Sequence, residues 1–181
     1  RSYIKDTTDF INKTRHLLVP CKEAVFLVTL DVNSLYTNID HTEGIQACKF
    51  FIDQRTNQHF PSSTICDLTN LILKSNAMKF TSRIFHQVKG VAMGTPMAVN
   101  FSTHFMTKFE QLLLNEYEKS YGVKPFVWLR YIDDIFMVWT GSEKSLQHFL
   151  EFANQFSKQQ GMKSTITFKA HYGQHSVNFL D

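Results

Sequence analysis

Two adjacent carboxylates, Asp133 and Asp134, stand between the apolar runs FVWLRYI (126–132) and IFMVWT (135–140). The runs predict a tight β-hairpin with the acids at its tip. Asn-Gly or Asp-Gly usually occupies such a tip, whereas neighbouring aspartates repel each other and supply no glycine. An Asp-Asp pair is also an ordinary solvated turn. Its rigid apolar flanks open a second use, because they would pin both carboxylates at the rim of a sheet, where a metal site can be held. A third acid, Asp31, ends the continuous apolar run VFLVTL (25–30), which has the character of a central strand. It too has a plain use, as a turn residue or helix cap. If the two strands pair, Asp31 and Asp133 meet roughly 5 Å apart. Three converging carboxylates without a basic partner repel unless divalent cations sit among them. Oxygen donors select Mg²⁺ or Mn²⁺ over Zn²⁺. Two such ions about 3.5–4 Å apart suit in-line phosphoryl displacement.

Between these acids lies GVAMGTPM (90–97), opening a long apolar-periodic segment. Glycines allow close backbone approach, and a helix N-terminus attracts phosphate, although the same pattern also makes a simple loop-to-helix turn. Residues 3–18 predict an amphipathic helix or a pair of turns leading in. Asp40 or Thr42 can cap a helix to about Gln54, and Pro61-Ser62-Ser63 starts another through Ile72. MKFT and IFHQV (78–81, 84–88) predict a short hairpin. A helix follows from about Pro96 to Tyr121, stopped by Gly122, and Ser142 caps one to Gln160, stopped by Gly161. ITFKA and VNFL predict two closing strands around the polar turn HYGQHS. The order predicts an α+β fold, an antiparallel sheet with helices packed on one face.

At 181 residues, 43% hydrophobic and 19% charged, the chain has the composition of a folded domain rather than a disordered one. No stretch reaches the roughly 18 apolar residues of a membrane span, and no secretory signal opens the chain. Cys21, Cys48 and Cys66 form no C-x-x-C pair, which argues against a disulfide framework or thiolate zinc site and suits a reducing compartment. His171 and His175 lack a third ligand and read as a polar turn. The net charge of +3 is small, but its distribution is uneven. No acid falls between Asp67 and Glu110, where Lys74, Lys79, Arg83, Lys89 and Lys108 stand. None falls between Glu151 and Asp181, where Lys158, Lys163 and Lys169 stand. Such segments line a phosphate path or a solvated surface. Beginning at Arg1 without an initiator Met, the chain is expected to be part of a longer polyprotein.

In this order, LDVNSLYTNI, GVAMGTPMA and YIDD resemble the palm of reverse transcriptases. The lead-in YIKDTTDFI, the Met-Gly-Thr-Pro form of the middle motif and the closing VNFLD resemble the Penelope-like retroelement enzymes, relatives of telomerase. The resemblance spans essentially the whole chain. It implies a helical lead-in over 1–24 and a polymerase palm over 25–181, with a finger-side insertion at 60–90 that holds a small hairpin. It also implies RNA-directed DNA polymerase activity with two Mg²⁺ or Mn²⁺ ions. Asp31 and Asp133 become metal ligands, Asp134 the auxiliary carboxylate and the Val32 carbonyl a further ligand. Tyr36 takes the place of the aromatic that stacks under the sugar and excludes a 2′-hydroxyl, although it is also an ordinary core aromatic. Met93 stands where many relatives carry Gln, leaving Gly94 and Thr95 to act through backbone and hydroxyl. Lys169, with Lys163 as competitor, stands where a lysine protonates departing pyrophosphate.

Implied partners are an RNA template, a DNA primer and dNTPs, with Lys74, Lys79, Arg83 and Lys89 holding the nucleic-acid backbone. Fingers, thumb and an endonuclease domain would lie outside this chain. Without them the 181 residues alone are expected to be weak or inactive. The location implied is intracellular and nuclear, with no membrane. An RNA-dependent RNA polymerase palm and a catalytically silent, palm-like nucleic-acid-binding scaffold are the alternatives. The scaffold has no physical reason to keep mutually repelling acids.

Overall fold

The computed structural model describes residues 2–19, 23–57 and 59–180; Cys21, and Asp181 at the end of the closing motif, lie outside them. Its elements are α1 (Thr7–Thr14), β1 (Val25–Val32), α2 (Leu35–Asn38), α3 (His41–Ile52), α4 (Ser62–Lys74), β2 (Ala77–Phe80) and β3 (Arg83–His86). There follow α5 (Pro96–Tyr121), β4 (Val127–Tyr131), β5 (Asp134–Thr140), α6 (Glu143–Gln159) and β6 (Phe168–Gly173). The chain divides into two units. One joins the residues up to Asn33 with Glu110–Gln160 and Ile166 onward; the other joins Ser34–Phe109 with Gly161–Thr165.

The first unit is built on one antiparallel sheet of order β4-β5-β1-β6. Because side chains alternate across a strand, each face can be read in rows from the register. On one face Val28, Leu30, Ile135, Met137 and Trp139 are all buried. They pack towards the second half of α5 and towards α6, where the Phe149 ring stacks on Trp139 at 5.1 Å and meets Tyr117 edge-on at 4.9 Å. Burying each such side chain contributes about 1.5–3 kcal/mol. The opposite face carries Leu129, Phe136 and Val138 in a cluster with Ile4. Phe10 of α1 meets Phe136 at 5.0 Å and Phe179 at 4.9 Å, so the segments near the two ends of the chain cover part of this face.

The second unit holds α2, α3, α4, the β2–β3 hairpin and the first half of α5. Of the two candidate caps of α3, Asp40 is the one used, its carboxylate accepting from the Thr42 and Glu43 amides. Gly44 packs so tightly that an added Cβ would lie 2.1 Å from the Phe101 ring.

Three expectations change in the structure. The lead-in helix covers only 7–14, because Tyr3 bridges Arg130 and the Ile4 amide donates to the Arg130 carbonyl, which keeps these residues extended. VNFL forms no strand. Instead β6 runs through the predicted polar turn as far as Gly173, opposite Leu27, while Val177, Phe179 and Leu180 pack on the apolar cluster. The hairpin tip is Ile132-Asp133, and Asp134 is already the first residue of β5, paired with Tyr131.

Candidate active site

β1 alternates half-buried and buried residues until Asp31, which is exposed. Its register sets Asp31 opposite Asp134 on β5 and opposite Lys169 on β6, and Asp134 lies opposite Tyr131 on β4. Directly opposed residues share a face, so Tyr131, Asp134, Asp31 and Lys169 make one polar row across all four strands. The partner of Asp31 is therefore Asp134, one residue beyond the expected Asp133. The shift follows from the turn, which takes Ile132 and Asp133 out of the ladder. Asp133 stays beside the row because its carbonyl accepts from the Val32 amide at 3.1 Å.

The turn is strained. Ile132 has φ of 52°, and a β-branched residue in that left-handed region costs about 1–3 kcal/mol. The next row on the same face is Leu129, Phe136, Thr29 and His171. From these rows Tyr131, Asp134, Asp31, Thr29 and His171 line a cavity of about 610 Å³ that also meets Asp6, Thr7 and residues 178–180.

Electrostatics tie the three acids together. Burial pushes the Asp133 carboxyl above the usual range and the Asp31 charge adds to this, opposed by its own backbone and by the Arg130 guanidinium. Burial also raises Asp134, followed by the charges of Asp133 and Asp31. This is surplus negative charge on oxygen donors, which is the chemistry a hard divalent cation relieves. Among the described residues, however, no three of His, Cys, Asp or Glu form a ready-made metal-binding group. The acids are neighbours rather than a closed cage.

The remaining sequence-predicted residues belong to the second unit. Tyr36 sits half-buried on the single turn α2, entered through Ser34 at φ 49°. Its carbonyl accepts from the Val91 amide at 2.7 Å, and the Gly90 amide donates to the Ile39 carbonyl at 2.9 Å. His41 Nε2 donates to the Gly90 carbonyl at 2.7 Å. Gly90 has φ of 78°, and a Cβ there would stand 2.4 Å from the Tyr36 oxygen, so the glycine-rich loop rests directly on α2. Met93 and Gly94 are exposed, and Thr95 Oγ1 donates to the Ala92 carbonyl at 3.0 Å.

All eight residues of β2 and β3 are exposed, including Lys79 and Arg83, and Lys74 ends α4 exposed. Lys89 differs: its ammonium already donates to the Lys163 carbonyl at 3.1 Å. Lys163 itself lies in the second unit, whereas Lys169 lies beside Asp31.

Two residues that no sequence motif flagged stand beneath the acidic turn. Arg130 is fully buried with Glu110 of α5, Nε to Oε1 at 2.6 Å, and Arg130 Nη1 donates to the Ile132 carbonyl at 2.9 Å. A charged residue inside the apolar run FVWLRYI was the available signal.

Comparison with known proteins agrees with this architecture. The family described as "Reverse transcriptase (RNA-dependent DNA polymerase)" matches residues 2–180. No curated protein sequence matches the chain. Among solved structures, telomerase from Candida albicans in complex with a fragment of telomeric RNA superposes with a TM-score of 0.69 at 11% identity, covering 98% of this chain and 32% of that one. Apo telomerase from Candida tropicalis, truncated from its C-terminal domain, gives 0.61 at 10% identity, covering 98% and 37%. The RNA-dependent RNA polymerase of BmCPV at quiescent state gives 0.64 at 12% identity, covering 88% and 16%. The chain thus spans about a third of the telomerases it resembles and shares the polymerase palm fold with them and with the viral enzyme. Among the described residues no helix is long and apolar enough to cross a membrane.

Proposed function

Because the chain belongs to the reverse transcriptase (RNA-dependent DNA polymerase) family, we propose that it carries the nucleotidyl-transfer site of an RNA-directed DNA polymerase of a Penelope-like retroelement. The observation that carries this is the pairing of Asp31 with Asp134 on central strands, with Asp133 in the adjoining turn. Asp31, Asp133 and Asp134, with the Val32 carbonyl, would hold two Mg²⁺ or Mn²⁺ ions, which when bound supply positive charge against the anionic triphosphate and the attacking oxygen. The primer 3′-hydroxyl attacks the α-phosphorus of a dNTP and pyrophosphate leaves. Base pairing with the RNA template chooses the nucleotide, while the protein contributes position and charge.

Each remaining side chain has a role in this proposal. Tyr36 presents a flat ring where a ribose 2′-hydroxyl would clash, which selects deoxynucleotides. Gly94 and Thr95 contact the nucleotide by backbone and hydroxyl, next to the exposed, amide-free Met93. Lys169, beside Asp31 in the register, protonates pyrophosphate. Lys74, Lys79 and Arg83 meet template phosphates, with the exposed Phe80 and Phe85 available for stacking on bases. Lys89 contributes less freely, its ammonium being engaged by the Lys163 carbonyl. Fingers, thumb and an endonuclease domain complete the proposed polypeptide, and its place of work is the nucleus.

The test is primer extension on poly(rA)·oligo(dT) with Mg²⁺ or Mn²⁺, in a polypeptide carrying fingers and thumb and in the 181-residue chain alone. Asp133→Asn is expected to lower the rate by at least about 100-fold. The short chain is expected to extend weakly or not at all for want of a duplex clamp. Equal rates for wild type and Asp133→Asn would remove the catalytic assignment. RNA binding without extension by the longer polypeptide would favour a silent scaffold.

A further inference from the structure

Beneath the acidic turn, on the helix side of the sheet, lies an ion pair that burial alone does not explain. Arg130 and Glu110 are 0% and 2% exposed. Replacing a buried ion pair by apolar side chains of similar volume is often neutral or stabilising, so the pair is weak evidence of a need for stability. Its geometry suggests another use. Arg130 Nε is anchored on Glu110 Oε1 at 2.6 Å, and Glu110 Oε2 in turn accepts from Ser2 Oγ at 2.9 Å. The backbone of Arg130 is held as well, its amide donating to the Ser2 carbonyl at 2.7 Å and its carbonyl accepting from Ile4 at 2.9 Å. From this fixed base Nη1 reaches forward to the carbonyl of Ile132, the left-handed residue immediately before Asp133.

We propose that Arg130 is a positioning residue: anchored by Glu110, it fixes the Ile132–Asp133 peptide from behind while the Val32 amide fixes the Asp133 carbonyl from the β1 side. The turn is thereby held at two successive peptides, and the Asp133 carboxylate stays beside Asp31 and Asp134 although the local backbone disfavours that conformation. A guanidinium suits this task because its planar fork bonds two acceptors in divergent, fixed directions, which an ammonium on a flexible stem does not. The inference rests on the assignment of Asp133 to catalysis made above.

The test separates folding from positioning. The double variant Arg130→Met, Glu110→Leu removes both charges together and is expected to unfold within about 5 °C of wild type. In it the Val32 amide, which donates to Asp133, is expected to exchange with solvent at least about tenfold faster by NMR. In the polypeptide carrying fingers and thumb, kcat for primer extension is expected to fall about tenfold or more with KM for dTTP within about twofold. Arg130→Lys keeps the charge and contact with Glu110 but has no second nitrogen fixed towards the Ile132 carbonyl, and is expected to show the same faster exchange and lower kcat. It also serves if the double variant fails to fold. Wild-type exchange at Val32 with wild-type kcat in either folded variant overturns the proposal. If the wild-type polypeptide extends no primer, the catalytic assignment of Asp133 fails by itself, and the Val32 exchange rates still decide whether Arg130 positions the turn.

Discussion

Gly90→Ala and Gly94→Ala form a pair in which one backbone conformation meets two different surroundings. Both glycines are left-handed, at φ of 78° and 87°. An alanine forced into that region costs about 1–2 kcal/mol, offset by about 0.4–1 kcal/mol because alanine leaves the unfolded chain less freedom to lose. At Gly94 nothing lies within 4 Å of the added Cβ, so the net cost there is expected to be about 1 kcal/mol or less. At Gly90 the Cβ would stand 2.4 Å from the Tyr36 carbonyl oxygen and 2.6 Å from Thr37 Cα, both backbone atoms that no rotamer change can move. Such overpacking adds about 1–3 kcal/mol, for a total near 3 kcal/mol. Relief would require the loop to lift off α2, breaking the 2.7 Å bond from the Val91 amide to the Tyr36 carbonyl. Urea unfolding of both variants beside wild type measures the difference, expected at about 2 kcal/mol with Gly90→Ala the worse. In a thermal scan the gap is about 4–8 °C for a chain of this length. Equal losses at the two positions would refute the close approach of the loop to the Tyr36 turn.

Two further outcomes are expected. On the proposed role of Tyr36 as the sugar gate, Tyr36→Val is expected to lower the preference for dTTP over UTP in primer extension at least about tenfold; an unchanged ratio removes Tyr36 as the gate and favours an RNA-synthesising palm. Burial in α3, with a smaller push from Cys66, raises the Cys48 thiol from its ordinary 9.0 to about 11. The fold thus favours the protonated thiol, and that stabilisation is complete below pH 9 and lost as pH rises through about 11. Between pH 8 and 10.5 wild type is expected to lose about 2 kcal/mol of unfolding free energy more than Cys48→Ala, measured by urea titration; equal losses would contradict the burial of the thiol.

Much of the fold was legible because it rests on local chemistry. The cap at Asp40, the stop at Gly122 and the extent of α5 follow from residues that satisfy or end a helix within one turn of themselves. The apolar run of β1 and the two runs around the acidic pair are strands because their side chains suit a pleated, buried surface. The closing segment shows where this fails. HYG has the composition of a turn, yet it extends β6 because β1 offers unpaired backbone as far as Leu27, a partner some 145 residues earlier. VNFL has the composition of a strand, yet it spends its apolar side chains on the cluster around Ile4 and Phe136.

By itself the sequence determined which side chains could do chemistry: the types and order of Asp31, Tyr36, the glycine-rich loop and the 133–134 acids carried the family resemblance. It could not determine which acid faces which. That depended on whether the hairpin turned at 132–133 or one residue later, and a shift of one residue in a strand exchanges its two faces. Only the tertiary structure set Asp134 against Asp31, placed Lys169 on the other side, and put a buried Arg130–Glu110 pair under the turn. The physical reason is that register and buried pairing are settled by partners far along the chain, whose meeting no local spacing records.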